Sequence, residues 1–231
     1  MDWHTWHEEY ADPDSALGRR LAVVQREIRS ALERAPAGAL RAISVCAGQG
    51  HDLIGVLVDH PRRTDVSARL VELDSHNAEV AREASREAGL AGVEVVTADA
   101  AVTDAYVGAV PANVVLLCGV FGNITASDIA KTVRHLPSLC AADASVIWTR
   151  HRHPPDLTPL IRETFAEHGF EEVTFESSPP FGVGVSRLMG SPRPFEPGVR
   201  LFEFVGYEVL QSAFHATQHG DGGGDSPRSE R

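Results

Sequence analysis

A short, largely apolar segment that runs into two closely spaced glycines constrains this chain most. Ala42–Cys46 contains β-branched residues, and Ala47-Gly48-Gln49-Gly50 follows it at once. Such a run, with glycines and then Leu53-Ile54 behind it, predicts a strand, a tight turn and a helix. Gly48 and Gly50 have no Cβ, so a ligand can come close to the backbone of the turn. The segment therefore predicts a ligand site where a strand ends.

Two carboxylates, Glu72 and Asp74, close the next apolar run of the chain. Glu72 follows Gly50 by about 20 residues, the spacing at which an acid on the second strand accepts hydrogen bonds from ribose hydroxyls. For Asp74 we favour a different role, as the cap of a helix over Ser75–Ala88. The turn and Glu72 together predict a nucleoside-containing cofactor at the carboxyl ends of a parallel sheet.

The residues around the glycines narrow the choice of cofactor. The dinucleotide fingerprint G-x-G-x-x-G/A needs a small residue where this chain has Leu53, which argues against NAD and FAD. A P-loop needs Gly-Lys-Ser/Thr, and the only lysine of the sequence is Lys131. A nucleoside cofactor without phosphates remains. S-adenosylmethionine fits, because its ribose needs the acid and its amino-acid end needs only backbone and a few polar groups.

In four segments, which come in the family's order, the chain resembles the class I S-adenosylmethionine-dependent methyltransferases. In the first motif Gly48 and Gly50 match, while Ser44 stands at the acid position and Cys46 at the first glycine position. The other three motifs are similar to Glu72-Leu73-Asp74 with Ala81-Arg82 behind it, to Asp99 after Val95-Val96-Thr97-Ala98, and to Val114–Asn123, with Asn113 in place of the usual Asp.

This resemblance covers about Leu40 to Phe204 and implies the fold. We expect an α/β protein with a Rossmann-like, seven-stranded, mostly parallel sheet, helices on both faces and a C-terminal antiparallel hairpin. The resemblance also puts Glu72 at the ribose and Asp99 near the adenine amino group. The cofactor-binding residues that it implies are Cys46, Ala47, Gly48, Gly50, Glu72, Leu73, Asp99, Ala100, Cys118 and Gly119.

The rest of the pattern agrees with such a sheet. Apolar residues recur at steps of three and four over Ser15–Ala35, which predicts an amphipathic helix. Strands that alternate with helices form a parallel sheet with right-handed crossovers. The predicted strands are Ala42–Cys46, Val66–Glu72, Val93–Thr97, Val114–Leu117 and Ser145–Thr149, separated by Asp52–His60, Ser75–Ala88, a stretch near Asp104–Val110, and Ser127–Leu136.

Beyond Thr149 the pattern predicts a helix from Pro154 to about His168 and a half-buried strand over Glu171–Glu176. Two further strands, Val183–Leu188 and Val199–Val205, surround a proline-rich loop and resemble the closing hairpin. The polar, glycine-rich tail is expected to be disordered. The predicted organisation is a lid and helix over 1–38, a cofactor-binding core over 39–214, and a tail over 215–231.

Composition argues against several classes of partner. A net charge of −11 argues against a nucleic-acid substrate, because phosphate binding usually needs a basic surface. Three cysteines in apolar segments predict reduced thiols, and no apolar run approaches 20 residues, so we expect a cytoplasmic protein without a membrane span. Its histidines lack the spacing of a metal site, so we expect no metal. A small-molecule substrate is the expected partner, and the oligomeric state is left open.

The resemblance implies transfer of a methyl group from S-adenosylmethionine to a small-molecule acceptor, and the residues that would contact this acceptor are those that the sequence constrains least. Asn123, His151 and His153 are candidates because they follow the fourth and fifth strands. The aromatic start of the chain, Trp3 to Tyr10, predicts either a lid over the pocket or packing for the first helix. Arg19-Arg20 predicts either a contact to the cofactor's carboxylate or a solvated helix face. A non-catalytic nucleoside-binding domain and a nicotinamide-dependent oxidoreductase stay open as alternatives to a methyltransferase.

Overall fold

The computed structural model describes residues 12, 14–206 and 209–210. They form one seven-stranded sheet in the order β3-β2-β1-β4-β5-β7-β6. The first five strands are mutually parallel, while β7 runs antiparallel to both β5 and β6. This confirms the predicted fold class. The strands are β1 (Leu40–Val45), β2 (Val66–Glu72), β3 (Val93–Thr97), β4 (Ala112–Leu117), β5 (Cys140–His151), β6 (Phe170–Ser178) and β7 (Phe181–Leu188).

Side chains at the first turns fix where most of the helices begin. Ser15 accepts a hydrogen bond from the Gly18 amide and caps the first helix. Asp74 caps the third helix in the same way through Asn77, as the sequence predicted. The helices are α1 (Ala16–Arg34), α2 (Leu53–Leu57), α3 (Ser75–Glu87), α4 (Ala126–His135) and α5 (Thr158–Glu167), with 3₁₀ turns at Thr103–Tyr106 and Leu136–Ser138.

The sheet separates two hydrophobic cores. Successive residues of β4 point to opposite faces, so Leu116 packs in one core and Leu117 in the other. The first core is covered by α1, α2 and α3, which contribute residues such as Ile28. The second is covered by α4 and α5 and contains Phe121 and Trp148. Burial on both faces explains why the central strands are almost continuously apolar.

One predicted strand is wrong. Val199–Val205 is not a strand, and only Arg200 forms an isolated bridge, to Val102. Leu201 and Phe202 are consecutive and both 1% exposed, so they do not alternate as a half-buried strand requires. Neighbouring backbone groups bond instead to loops after β3 and β4. The closing hairpin is therefore β6 with β7, and 199–206 crosses the carboxyl edge of the sheet.

The boundaries of other helices differ less from the predicted ones. Between β1 and β2 the helix is confined to Leu53–Leu57, and the helical stretch expected near Asp104–Val110 is the 3₁₀ turn Thr103–Tyr106. The aromatic segment Trp3 to Tyr10 and the tail 215–231 lie outside the described residues. The division at residue 38 stays a prediction, although α1 shares a hydrophobic core with the sheet. Among the helices that the structure describes, none has the length and apolar character to cross a membrane.

Candidate cofactor site

A cavity of about 840 Å³ lies at the carboxyl ends of β1, β2 and β4. β1 pairs with β2 on one side and with β4 on the other, so successive crossovers leave β1 in opposite directions. This is the topological switch point at which open α/β sheets bind their ligands. Nine of the ten residues implied by the resemblance line the cavity: Cys46, Ala47, Gly48, Glu72, Leu73, Asp99, Ala100, Cys118 and Gly119.

The turn after β1 is tied to the end of β2 by one carboxylate. Glu72 accepts a hydrogen bond from the Gly48 amide at 2.8 Å through Oε2 and from the Asp74 amide at 2.9 Å through Oε1. Cys46 and Gly48 have φ values of 54° and 56°, a backbone region that glycine adopts easily and other residues seldom do. The Cys46 position therefore has a conformation suited to glycine, and Glu72 helps to hold the turn.

Gly50, the last of the ten residues implied by the resemblance, does not line the cavity. It has a φ of 74°, and a Cβ at this position would lie 2.6 Å from Ile54 Cδ1 and 2.9 Å from Leu70 Cδ2. Gly50 thus permits the close packing of α2 against β2 rather than the approach of a ligand. Leu53, which argued against a dinucleotide, is fully buried in the same core.

The cavity wall combines the Asp99 carboxylate with exposed apolar surface. Asp99 accepts a hydrogen bond from the Ala101 amide at 2.9 Å through Oδ1, and its Oδ2 lies 3.0 Å from Arg200 Nη2. Leu73 and Phe204 line the cavity and are 68% and 47% exposed. They give the cavity wall apolar surface that a ligand could cover. Arg200 and Phe204 belong to 199–206, which the sequence had placed in a strand.

Two residues of opposite charge, Arg20 and Asp52, also line the cavity. Arg20, on α1, lines the cavity although the residue is only 8% exposed. Asp52 caps α2 by accepting from the Leu53 amide at 2.7 Å. Burial raises the pKa of Asp52 to about 6, against the opposing effects of its backbone hydrogen bonds and of the Arg20 charge. Arg19 instead is exposed and donates to the Asp14 carbonyl. Of the predicted pair, Arg20 lines the cavity and Arg19 does not. Asp52 also lines it and was not predicted; its position just before an apolar helix is the one signal in the sequence that could have indicated it.

Solved structures with a similar architecture include several methyltransferases. An O-methyltransferase family protein from Burkholderia thailandensis has a TM-score of 0.60 and 18% identity, covering 76% of this chain and 56% of that one. The CurJ carbon methyltransferase has a TM-score of 0.61 and 15% identity, covering 79% and 58%. Magnesium protoporphyrin IX methyltransferase from Synechocystis PCC 6803, solved with bound S-adenosylmethionine, has a TM-score of 0.59 and 13% identity, covering 81% and 90%. No protein-family model and no curated protein matches the chain.

The chain has the class I methyltransferase fold. It spans little more than half the length of the first two of these proteins. In the methyltransferase fold, the described cavity occupies the crevice that the strand order predicts for a ligand.

Two thiols stand on the wall of the cavity in this methyltransferase fold. Burial raises the pKa of Cys46 to about 12, and the nearby charges of Glu72 and Asp99 add to the effect. Burial also raises the pKa of Cys118, with a smaller contribution from Asp52. Both groups are therefore protonated at neutral pH and are poor nucleophiles, because the thiolate is the reactive form.

None of the three acceptor candidates, Asn123, His151 and His153, lines the cavity. Asn123 donates through Nδ2 to the Gly119 carbonyl at 2.8 Å, which holds the loop after β4. The rings of His151 and His153 stack with centroids 6.0 Å apart. Burial lowers the pKa of His151 to about 4, helped by the charges of Arg150 and His153. A role for these residues in acceptor binding stays a prediction.

The expected absence of a metal stays an expectation. Across the described residues, no group of three or more His, Cys, Asp or Glu side chains is arranged to hold a metal ion.

Proposed function

We propose that this protein transfers a methyl group from S-adenosylmethionine to a small-molecule acceptor. One observation carries the proposal. A single cavity at the switch point is lined by the carboxylates Glu72 and Asp99 and also by Arg20 and Asp52, which carry opposite charges. S-adenosylmethionine has a matching set of groups: an adenosine, and an amino acid with one positive and one negative charge.

The cavity residues proposed to bind the nucleoside fit an adenosine. Glu72 would accept from ribose hydroxyls, because an ionised carboxylate has about four lone-pair positions and two backbone amides fill only part of them. Asp99 offers the same capacity to the adenine amino group. Leu73 and Phe204 supply apolar surface against which the flat base would be shielded from water.

The cavity residues proposed to bind the rest of the cofactor fit an amino acid. Arg20 would bind the carboxylate, for which its planar guanidinium is suited, and Asp52 would accept from the ammonium group. Arg20 is buried and Asp52 is partly buried, which strengthens charge-assisted hydrogen bonds. A neutral nucleoside would leave this pair of charges unused.

When bound, the cofactor would supply a methyl carbon on a sulfonium, which bonds to an acceptor lone pair while the carbon–sulfur electrons stay on sulfur. The chain's residues would bind, orient and exclude water, which is the main contribution an enzyme makes to such a transfer. Cys46 and Cys118 would not compete for the methyl group, because their thiols stay protonated. Any proton on the acceptor would pass to water.

The acceptor is proposed to be a small molecule in the cytoplasm, on the strength of the net charge of −11 and the cysteine usage. The alternatives gain no support from the described site. Ser44, which stands where the family has an acid, is buried within β1 and does not line the cavity, so the replacement removes no charge from it. Leu53 still argues against a nicotinamide cofactor.

Thermal unfolding with added ligands tests the proposal. S-adenosylhomocysteine should raise the melting temperature as a saturating function of its concentration, following RT ln(1 + [L]/Kd). NADH at the same concentrations should leave the melting temperature unchanged. Stabilisation by NADH alone would favour an oxidoreductase. If neither ligand changes the melting temperature, both the methyltransferase and the oxidoreductase assignments are contradicted. A radiolabelled methyl donor incubated with a metabolite extract would then separate an enzyme from a non-catalytic domain.

A further inference from the structure

A second concave surface lies next to the cofactor cavity, between α1 and the turn that joins β6 to β7. This groove has a volume of about 280 Å³. Its apolar wall includes Val23, Pro180, Phe181 and Val183. Phe181 pairs with His151, the last residue of β5, so the groove lies at the carboxyl edge of the sheet. The cofactor cavity is at the same edge.

The groove and the cavity meet at Arg20, which lines both. The Arg20 guanidinium lies 5.0 Å from the centroid of the Phe181 ring in the groove. On the other side, its charge acts on Asp52 in the cavity. Reacting atoms must come within about 3–3.5 Å of each other, so an acceptor has to bind in a site that adjoins the donor's site. The groove meets this requirement.

The charged side chains of the groove favour an anion. Arg19, Arg20 and Glu176 line it. Glu176 Oε2 lies 2.5 Å from Arg26 Nη2, so this carboxylate is already paired with a cation. The Arg20 charge already acts on Asp52 in the cavity, whereas Arg19 donates to a backbone carbonyl, which carries no net charge. The groove therefore offers the positive charge of Arg19 to a ligand, in a chain whose net charge is −11. A small anion would be attracted here and repelled by much of the remaining surface.

We propose that this groove binds the methyl acceptor and that the acceptor is a small aromatic carboxylate, an inference that rests on the proposed function. Arg19 pairs with the carboxylate, since a guanidinium can bind both oxygens of such a group. The aromatic body packs on Phe181 and Val183, and its far end points past Arg20 toward the cavity. The groove is near the lower end of ligand-pocket volumes, about 300–1,000 Å³, which suits one small molecule.

Fluorine NMR on the full chain, saturated with S-adenosylhomocysteine, tests the inference with 4-fluorophenylacetate and its neutral amide as probes. The carboxylate should bind about tenfold more tightly than the amide, because only the carboxylate gains the ion pair with Arg19. Arg19→Gln should remove that preference. Ala22→Trp places a large ring in the groove from an exposed helix position and should abolish binding of both probes. Glu33→Trp, at an exposed position of α1 outside the groove, is the matched control and should bind like the wild type.

Equal binding of the two probes, undiminished binding in Ala22→Trp, or no binding to the wild type would overturn the inference. Calorimetry with S-adenosylhomocysteine on the same samples keeps the two proposals apart. All three variants should bind it like the wild type, because Arg19, Ala22 and Glu33 do not line the cofactor cavity. If the wild type binds the carboxylate but not S-adenosylhomocysteine, the proposed function fails and the groove remains a carboxylate site.

Discussion

Glu72 has two tasks at the residue scale. It holds the Gly48 amide at the turn, and it faces the cavity where the ribose is proposed to bind. The sequence indicated the second task through the spacing from the glycines. The first task depends on the exact position of the strand end, which a pattern of residue types does not specify.

Glu72→Ala should weaken the binding of S-adenosylhomocysteine by about 1–3 kcal/mol, the scale for lost hydrogen bonds to a charged group. Glu72→Gln should lose less, because one oxygen remains to accept. Isothermal titration calorimetry gives the dissociation constants. Glu94→Ala, which breaks an exposed ion pair with Arg69 on the same sheet, is the control and should bind normally. A wild-type constant for Glu72→Ala would show that this motif is misplaced.

Cys46 should react slowly with thiol reagents at neutral pH. Its pKa is raised to about 12, chiefly by burial, so the thiolate is scarce and labelling should accelerate as the pH rises. Bound S-adenosylhomocysteine should slow the reaction further, because Cys46 lines the cavity. Peptide mapping by mass spectrometry distinguishes Cys46 from Cys118. If Cys46 is labelled rapidly and bound S-adenosylhomocysteine does not change the rate, Cys46 lies outside the binding site.

Asp52 should make the affinity for S-adenosylhomocysteine depend on pH. Its pKa of about 6 lies above the ordinary value, so the carboxyl group becomes neutral as the pH falls through that value and no longer attracts an ammonium group. Affinity measured by calorimetry should therefore fall between neutral and mildly acidic pH. In Asp52→Asn the affinity should be lower at neutral pH and this decline should flatten. If the affinity of the variant declines by the same amount, the pH dependence comes from another titratable group, such as His51 on the cavity wall.

At the scale of elements, the hairpin and the central sheet are joined by very close packing. Gly184 of β7 lies opposite Trp148 of β5, and a Cβ there would approach Trp148 Cε2 to 2.3 Å. The indole is fully buried and packs against Phe121, Phe165 and Phe175. The buried indole leaves no room for a side chain at the β7 position opposite Trp148, so glycine is required there.

Gly184→Ala should lower the free energy of unfolding by about 1–3 kcal/mol through overpacking. Urea denaturation followed by circular dichroism measures the change. Gly190→Ala is the matched control, since the nearest atom to its new Cβ would be 3.7 Å away, an ordinary contact. If the two variants unfold at the same urea concentration, the packing of Trp148 against β7 is not as described.

The elements also show what the sequence could and could not predict. The five parallel strands were predictable because each is a separate apolar run bounded by turn residues, as in Val114–Leu117. Val199–Val205 has the composition of a strand, yet it lies across the sheet edge because Leu201 and Phe202 enter the core together. Its contribution to the cavity wall, Phe204 among others, follows from tertiary contacts far apart in the sequence.

At the scale of the whole molecule, the described site is assembled from distant parts of the chain. Arg20 comes from the first helix, Glu72 from the second strand, and Arg200 from the last described segment. The sequence predicted the centre of this site from local spacing. It left Arg20 undecided and did not indicate Asp52, because their proximity depends on how α1 packs over the sheet.

The central claim is that one cavity recognises both the nucleoside and the amino acid of S-adenosylmethionine. Calorimetry that compares S-adenosylhomocysteine with 5′-methylthioadenosine tests it most directly, because the second compound keeps the nucleoside and lacks the two charged groups. Hydrogen bonds to charged groups contribute about 1.5–3 kcal/mol each, so losing the contacts to Arg20 and Asp52 should weaken binding by roughly a hundredfold or more. Equal affinity for the two compounds would contradict the account.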